Sequence, residues 1–563
     1  MPIRSRWTIV IPYTSLPTYL FGSPYDPLPD DRPVFLDAEN PDKLFLTLNT
    51  YRLWSKRFAA GLQKAGLKPG ERVLLFSGNT LFFPVVVQGI IMAGGIFTGA
   101  NPTYVARELA YQLQDSGAKF LITAEASLDT ATEAAKSIGM NESNIFLFDS
   151  GADTFNGVGW SRGNIKPWSH LIANPEAGAA FAWEELRSPS ELNRTVALNY
   201  SSGTTGVPKG VEISHRNYVA NCAQVLNTAR LHPDYEKNTL RTRHLCFLPM
   251  YHAMAQTLFG VNAPKRGVRV FIMRKFDFKQ MLECVQNYRI TDLSLVPPIV
   301  VKLAKDPLVK NYDLSSIERA GCGAAPLGRE VSAEFQSCFP ITLRQGWGMT
   351  EATCSVTGFD PNHTPIPASV GELNANCEAR IMAPDEVTDL TDSISSSGSC
   401  DRGELWIRAP NIMKGYWKKP AATAETLTPD GWLKTGDIAY VNQGKFFIVD
   451  RKKELIKVRG NQVAPAELEA LLLDHPSIAD AAVIGAQMKG DEFPRAYIVK
   501  QSRAQVSGEE IQEWMKGKVN RNKWLEGGVV FLDVIPKNPS GKILRKVLKE
   551  QAKSELSSER AKL

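Results

Sequence analysis

Ser201–Gly210 reads SSGTTGVPKG and directly follows the apolar, strand-like run TVALNY. Its three glycines allow backbone N–H groups to approach an anion closely, its four hydroxyls add donors, and Lys209 adds a mobile positive charge. These are the components of a polyphosphate site. The stretch differs from the Walker loop, which needs Gly-Lys-Ser/Thr at its end, because Pro208 precedes Lys209. A flexible surface linker is the alternative interpretation, since linkers are also rich in glycine and serine.

Apolar runs alternate with longer amphipathic segments through most of the chain. Segments such as YRLWSKRFAAGLQKAG predict helices, and strands are predicted by RVLLFS at 72, KFLITA at 119, NIFLFD at 144, TVALNY at 195, VRVFIM at 268 and ITDLSLV at 290. This alternation is typical of an α/β fold with largely parallel sheets. The longest apolar stretch, 81–97, is interrupted by Pro84, Gln88 and glycines, so it predicts a buried helix and no transmembrane segment.

The pattern changes after residue 385, where a serine-rich polar stretch precedes two alternating runs, GELWIRA and GKFFIVD. We expect a large N-terminal domain at 1–449, in which these runs form a β-rich subdomain beside the mixed, largely parallel sheets. The charge cluster DRKKELIK at 450–457 then suggests a hinge at 450–453 and a small α+β C-terminal domain at 454–563. Basic residues spaced among apolar ones predict a helix near the end, carrying Lys542, Arg545, Lys546 and Lys549.

The composition limits the classes of function. The chain has 563 residues, 43% hydrophobic and 22% charged, which is typical of a globular protein with more than one core. A net charge of +6 over this length gives no indication of nucleic-acid binding. The eight cysteines are scattered, which indicates neither a zinc site nor a disulfide framework and fits a reducing compartment.

The last three residues, Ala561, Lys562 and Leu563, resemble the Ser-Lys-Leu address that a peroxisomal import receptor reads. The polar stretch SELSSER before them favours an exposed end, as a receptor-read address requires. We therefore expect a peroxisomal protein, and otherwise a cytoplasmic one. The alternative interpretation is an ordinary charged helix end.

Two segments carry groups suited to a nucleotide. QGWGMTE (345–351) combines glycines for close backbone approach, the flat face of Trp347 for stacking, and Glu351 as a carboxylate for Mg²⁺. WLKTGD (432–437) places Asp437 after a tight turn, where it suits two ribose hydroxyls. Taken alone, the first segment is also compatible with an ordinary turn and the second with an Asx-turn.

Two further segments are informative only in combination with the other motifs. PKNPSGK (536–542) delivers Lys542 on a glycine turn, although most isolated lysines are solvated surface charges. GCGAAPLG (321–328) is rich in small residues and suits either a wall for a planar ring or a tight entry into a helix.

The order of these motifs, together with GELWIRAPNIMKGYW and DRKKELIKVRGNQVAPAELEA, resembles the adenylate-forming superfamily. That superfamily includes acyl-CoA synthetases, peptide-synthetase adenylation domains and beetle luciferases. The likeness runs from about residue 45 to 550, and GNQVAPAELEA and GAAPLG look most like 4-coumarate:CoA ligases and luciferases, within a group that includes fungal-type peroxisomal acyl-CoA synthetases. The set of motifs is highly specific, although each is weak alone.

The resemblance implies a site for ATP and Mg²⁺ built from these segments. The residues implied to cradle the β- and γ-phosphates are Ser201, Ser202, Gly203, Thr204, Thr205, Gly206 and Lys209. The residues implied to form the adenine wall are Gly323, Ala324, Ala325, Gln345, Gly346, Trp347 and Gly348. Thr350 is implied to contact the α-phosphate, Glu351 to bind Mg²⁺, and Asp437 and Arg451 to hold the ribose.

The resemblance also implies residues for two successive half-reactions. Lys542 would bridge the substrate carboxylate and the nucleotide during adenylation, and His252 in LPMYHAM matches a gate beside the acyl pocket. Lys453 matches a hinge residue, so the small domain is expected to be mobile, while Lys457 and Gln462 match positions that serve the two half-reactions.

The chain departs from plant coumarate ligases at several positions. Met254 stands where those enzymes have a tyrosine, which suggests a softer, apolar acyl pocket. Trp347 replaces a tyrosine, and Thr353 and Cys354 replace a Gly-Pro pair. Hydroxycinnamate is therefore not the assured substrate.

We expect an ATP-dependent acyl-CoA ligase that joins an aryl or medium-chain carboxylic acid to CoA and releases AMP and pyrophosphate. One alternative is an enzyme that passes its adenylate to a carrier protein or acts as a luciferase-like oxygenase. A further alternative is a non-catalytic acyl or nucleotide sensor, which would be expected to have lost Lys542 or the phosphate loop; both are present.

Overall fold

The computed structural model describes residues 1–25, 28, 31–149, 161–201, 207–325, 327–393, 398–459, 461–488, 491–502, 504–538 and 541–560. The predictions for Ser202, Gly203, Thr204, Thr205 and Gly206, and for the terminal Ala561, Lys562 and Leu563, lie outside these residues.

Two seven-stranded sheets form the larger part of the fold. In the first sheet all neighbours are parallel except the first pair, and the order is Lys209–Ser214, Thr195–Ser201, Ile96–Ala100, Arg72–Phe76, Ala118–Ala124, Ile145–Phe148, Lys166–Pro167. The second sheet is also parallel except at one edge, in the order Leu343–Gln345, Arg319–Cys322, Asp292–Leu295, Arg243–Cys246, Arg269–Ile272, Pro33–Asp37, Phe45–Thr47. The prediction of an α/β fold with largely parallel sheets is confirmed.

Helices cover these sheets, and several of them begin at a residue whose side chain caps the first turn. Helix Leu48–Lys64, for example, begins at Thr47, whose hydroxyl accepts from the N–H of Thr50 in a capping box. Helix Phe83–Met92 is buried along its whole length, as its apolar sequence predicts. The other α-helices of this part are Leu16–Phe21, Ala106–Ser116, Leu128–Ser137, Pro175–Ala180, Pro189–Leu192, His215–Arg230, Tyr235–Arg241, Ala253–Thr257, Ala263–Arg266, Phe278–Tyr288, Pro297–Lys305, Arg329–Cys338 and Pro420–Thr426.

Short 3₁₀ turns join several elements, at Glu125–Ser127, Glu142–Asn144, Trp168–Leu171, Pro307–Asn311, Thr350–Ala352, Leu390–Ser393 and Arg521–Lys523, and Leu258–Asn262 forms a π-helical turn. One continuous apolar core extends through both large sheets. Trp168 is fully buried in it, with edge-on contacts to Phe58, Phe82 and Phe148.

A third, five-stranded sheet is antiparallel throughout, in the order Ile3–Arg4, Glu378–Met382, Gly403–Arg408, Leu433–Asn442, Lys445–Arg451. The short pair Thr357–Gly358 and Glu372–Leu373 lies outside it. The β-rich region predicted from GELWIRA and GKFFIVD corresponds to this third sheet, and the polar stretch after residue 385 joins two of its strands.

The residues after the third sheet have an apolar core of their own, which includes Leu468, Val483, Ile498 and Ile511. Its strands are Ile456–Val458, Asn461–Val463, Ile478–Met488, Asp491–Lys500 and Val529–Phe531, and its helices are Pro465–Leu473, Gly508–Lys516 and Arg545–Arg560. The placement of a hinge at 450–453 stays a prediction.

The expectation that Lys542 lies on the final helix is wrong. The helix begins at Arg545, and Lys542 lies in the turn before it. Gly541 has a φ of +80°, a left-handed conformation that a helix does not continue through, and the Asn538 side chain accepts from the N–H of Lys542 at 2.9 Å. Among the described helices, none is long and apolar enough to cross a membrane.

Candidate active site

A cleft of about 900 Å³ opens between the second sheet, the third sheet and the C-terminal part of the chain. Three parallel strands of the second sheet end at its wall, and the loops that follow them provide Pro297, Ala324 and Gly346. Because ligands of open α/β sheets bind beyond the carboxyl ends of the strands, this cleft is the expected place for a nucleotide.

The strands on either side of the stretch quoted first, Thr195–Ser201 and Lys209–Ser214, form an antiparallel hairpin. Ser201 ends one strand and pairs in register with Lys209, which begins the antiparallel neighbour. A Walker loop instead leads from a strand into a helix, so this stretch differs from it in the elements that flank it as well as in sequence. The Lys209 ammonium lies 4.8 Å from the centre of the Tyr416 ring.

Glu351 connects this hairpin to the motif QGWGMTE. Its side chain is buried, and its Oε1 accepts from the Ser201 hydroxyl at 3.1 Å and from the Tyr416 hydroxyl at 2.9 Å. Thr350, half-buried, precedes it in the same turn. Among the described residues no cluster of three or more His, Cys, Asp or Glu side chains is arranged to hold a metal. A single carboxylate beside a phosphate site nevertheless suits Mg²⁺, which commonly takes one or two carboxylates together with substrate phosphates.

Small residues form the wall that the sequence predicts for adenine. Ala324 has a φ of +70°, and a Cβ at Gly323 would already lie 3.4 Å from the Met254 methyl carbon. Gln345 is buried and exchanges hydrogen bonds with the backbone of Leu327, its oxygen accepting at 3.2 Å and its amide donating at 3.3 Å. A Cβ at Gly348 would overlap the carbonyl of Cys354, so that position requires glycine.

Trp347 and Asp437 form a buried pair in the lining of the cleft. The indole N–H of Trp347 donates to Asp437 Oδ2 at 2.9 Å, and Arg451 Nε lies 3.3 Å from Oδ1. Burial raises the pKa of Asp437, while the Arg451 charge and the indole bond oppose that rise. The polar edge of Trp347 therefore orients the carboxylate, a role that the sequence interpretation of a stacking face did not include.

Lys542, from the C-terminal part of the chain, lines the same cleft as Trp347 and Asp437. Burial and the nearby Arg451 charge lower the pKa of Lys542 to about 8. Its glycine turn packs on the second sheet, because a Cβ at Gly541 would lie 3.2 Å from Val296 Cγ2. The pKa of His252 is lowered to about 4 by burial and by the Lys542 charge, so that imidazole is neutral at physiological pH.

Three residues expected in the machinery lie elsewhere. Lys457 and Gln462 face each other in register on a two-stranded ribbon and are both exposed. Lys453 is also exposed, directly after Lys452, whose N–H donates to the Gly436 carbonyl at 2.7 Å. None of the three lines the cleft described above, and its lining does not include Ser201, Lys209, Gly323, Thr350, Glu351 or His252 either.

Thr353 and Cys354, which replace a Gly-Pro pair of the coumarate ligases, lie in a tight backbone turn. Thr353 has φ 63° and ψ −50°, and the N–H of Cys354 donates to the Ala352 carbonyl at 2.6 Å, which together form a γ-turn. This conformation favours glycine, and the threonine is held in it by its hydroxyl, which donates to the Asn411 carbonyl at 2.7 Å.

Sequence reasoning missed three residues of this site. Tyr416 touches both Glu351 and Lys209, and the only sequence signal was its place in the quoted stretch ending GYW. Arg545 binds Glu454 and Glu469 at 2.6 Å just after the Lys542 turn. Burial raises the pKa of Glu469 to about 7. The spacing of charged residues along the sequence does not indicate that Arg545 pairs with Glu454 and Glu469, because both partners are far from it in sequence.

The AMP-binding enzyme family matches residues 28–417, and its C-terminal domain matches residues 467–542. A phenylacetyl-CoA ligase of Aspergillus niger, epaB, is 34% identical over 99% of this chain and all of its own length. The peroxisomal OPC-8:0-CoA ligase 1 of Arabidopsis thaliana is 36% identical over 92% of this chain and 90% of its own.

Among solved structures, ATP-bound MatB from Rhodopseudomonas palustris superimposes with a TM-score of 0.80. The match covers 95% of this chain and 98% of MatB at 24% identity, so it bears on the fold alone. The resemblance stated from the motifs is confirmed at the level of the superfamily and of the fold.

Proposed function

The chain belongs to the AMP-binding enzyme family, and we propose that it is an ATP-dependent ligase that joins a carboxylic acid to CoA through an acyl-adenylate. The observation that carries this proposal is the convergence of Lys542, Asp437 and Arg451 on one cleft beside the loops of the second sheet. These are the groups that adenylation needs, because carboxylate, α-phosphate and ribose must be held together there.

The residues suit each part of that reaction. The acid's carboxylate attacks the α-phosphorus of ATP, and pyrophosphate leaves. Negative charge on the acid, the α-phosphate and the leaving group is neutralised by Lys542 and by Lys209 with the hydroxyl-rich stretch 201–206. Mg²⁺, when bound, would be held by Glu351 and would neutralise further phosphate charge. Asp437, with Arg451, would take the ribose hydroxyls.

The second half-reaction needs a different arrangement. At neutral pH a few per cent of a free thiol has already lost its proton to water, and this thiolate attacks the acyl carbon of the mixed anhydride and displaces AMP, so no dedicated base is needed. Lys542 lines the cleft, whereas Lys457 and Gln462 lie exposed on their ribbon. We propose that rotation about Lys453 exchanges the two sets, with the present arrangement suited to adenylation.

The acid is proposed to be an aryl or medium-chain acid. Met254 lies against Gly323 at the wall beside His252, which supports an apolar pocket without a phenol partner. The phenylacetyl-CoA ligase of Aspergillus niger supports the aryl choice by similarity. A carrier-loading or luciferase-like adenylase and a non-catalytic sensor remain the rivals.

A substrate panel tests the proposal. With phenylacetate, cinnamates and C6 to C12 fatty acids, we expect AMP production that depends on both ATP and CoA for at least one acid. Adenylate is measured separately by pyrophosphate–ATP exchange. Exchange without any thioester would support the carrier or oxygenase rival, and nucleotide binding without exchange would support the sensor.

We propose that the enzyme is peroxisomal, because its last residues resemble the import address and a plant relative is named as peroxisomal. A fluorescent protein fused after Leu563 should abolish import, since the receptor needs a free C-terminus. The same protein fused before Met1 is the control and should leave import intact, as read by fluorescence microscopy. Equal import of both fusions would contradict the proposal.

A further inference from the structure

Tyr416 contacts both charged groups of the proposed phosphate site. Its hydroxyl donates to Glu351 Oε1 at 2.9 Å, and its ring centre lies 4.8 Å from the Lys209 ammonium. At that distance the negative face of the ring attracts the cation. Two charged side chains from separate segments are thus ordered by one aromatic residue.

Neighbouring segments fix Tyr416 in this position. Its N–H donates to the Thr423 hydroxyl at 2.9 Å, and a Cβ on the preceding Gly415 would lie 2.8 Å from Thr423 Cγ2. On the other side, the N–H of Trp417 donates to the Gly210 carbonyl at 2.8 Å. Tyr416 is thereby attached to the strand that begins with Lys209, and its ring is buried.

The Tyr416 hydroxyl provides one of the two hydrogen bonds that the Glu351 carboxylate accepts within the described part of the chain. The other comes from the Ser201 hydroxyl. Ser201 is the first residue of the stretch proposed to hold the phosphates, so its hydroxyl is itself expected to turn toward a bound phosphate. The neutral Tyr416 phenol donates to Glu351 at physiological pH and is not expected to turn toward the phosphate, so it keeps the carboxylate oriented throughout binding.

We propose that Tyr416 is a positioning residue for nucleoside triphosphate. Its hydroxyl orients the Glu351 carboxylate, and its ring pre-orders the Lys209 ammonium before the β- and γ-phosphates arrive. The inference rests on the proposed adenylation function. A long lysine side chain that is already ordered loses less conformational freedom when it meets its anion.

Nucleotide binding by the full chain tests this role. We expect Tyr416→Phe to weaken MgATP binding about tenfold, because one hydrogen bond to a charged group is lost while the ring remains. Tyr416→Leu also removes the ring and should weaken MgATP a further threefold or so. AMP lacks the β- and γ-phosphates, so its affinity should stay within about twofold in both variants. Calorimetric titration measures each nucleotide.

Tyr288→Phe is the matched control, since that hydroxyl also makes one hydrogen bond, to the Ala38 carbonyl at 2.9 Å, away from the cleft. It should bind both nucleotides as the native protein does. MgATP binding unchanged in Tyr416→Phe, or an equal loss of AMP and MgATP binding, would overturn the inference. If the native protein binds neither nucleotide, the proposed function fails instead, so the two failures are distinguishable.

Discussion

Lys542→Met is expected to lower the rate of adenylation by about 10²–10³-fold, the usual effect of removing one group that stabilises transition-state charge. Methionine nearly preserves the length of the side chain and removes its ammonium, which lies in the field of Asp437 and Arg451. Thioester formation from a supplied acyl-adenylate should change less than about threefold, because that step has no pyrophosphate to expel. Pyrophosphate exchange and single-turnover thiolysis measure the two steps separately.

Lys546→Met provides the control, since Lys546 is exposed on the helix that follows and should affect neither step.

The pH dependence of adenylation by the native enzyme provides a second test of Lys542. Because burial and the Arg451 charge lower the pKa of Lys542 to about 8, its ammonium is lost as pH rises through that value. We expect kcat/KM for adenylation to fall above about pH 8, with this limb missing in Lys542→Met. Equal losses in both half-reactions would contradict the assigned role.

The fold was largely predictable because its signals are local. Apolar runs at 72, 119, 144, 195 and 268 each became a strand of a parallel sheet, since a strand buried on both faces must be continuously apolar. The turn before Arg545 was missed, because the basic and apolar spacing continues through Lys542 and only the left-handed Gly541 interrupts it.

The site was predictable only in part. The resemblance supplied the residue set, and the structure brings Lys542, Asp437, Arg451 and His252 to one region. Contacts between distant segments were not predictable, such as the bond from Trp347 to Asp437, which spans 90 positions. The role of Tyr416 was not predictable for the same reason, since its partners Glu351 and Lys209 are far away in sequence and a buried tyrosine is ordinarily a core residue.

Asp437→Ala is expected to weaken both ATP and AMP binding by about 10²-fold. Two hydrogen bonds from ribose hydroxyls to a charged acceptor account for roughly 3 kcal/mol. Both half-reactions should be impaired, in contrast to Lys542→Met, because the nucleotide is held in each. The variant also leaves the Trp347 indole N–H unpaired in a buried place, which costs about 1–3 kcal/mol of folding stability. Calorimetric titration and thermal unfolding measure the two effects.

A ribose analogue separates recognition from mere loss of structure. The native enzyme should prefer ATP to its 2′,3′-dideoxy analogue by about 10²-fold, and Asp437→Ala should bind the two alike, since the acceptor that distinguishes them is gone. Trp347→Phe is the companion variant. It removes the indole donor at 2.9 Å and part of the ring while keeping an aromatic face, so Asp437 is less well oriented and the preference should fall to about tenfold. If Asp437→Ala still discriminates against the dideoxy nucleotide, Asp437 does not read the ribose, and the carboxylate serves only to hold Trp347 and Arg451 in the wall of the cleft.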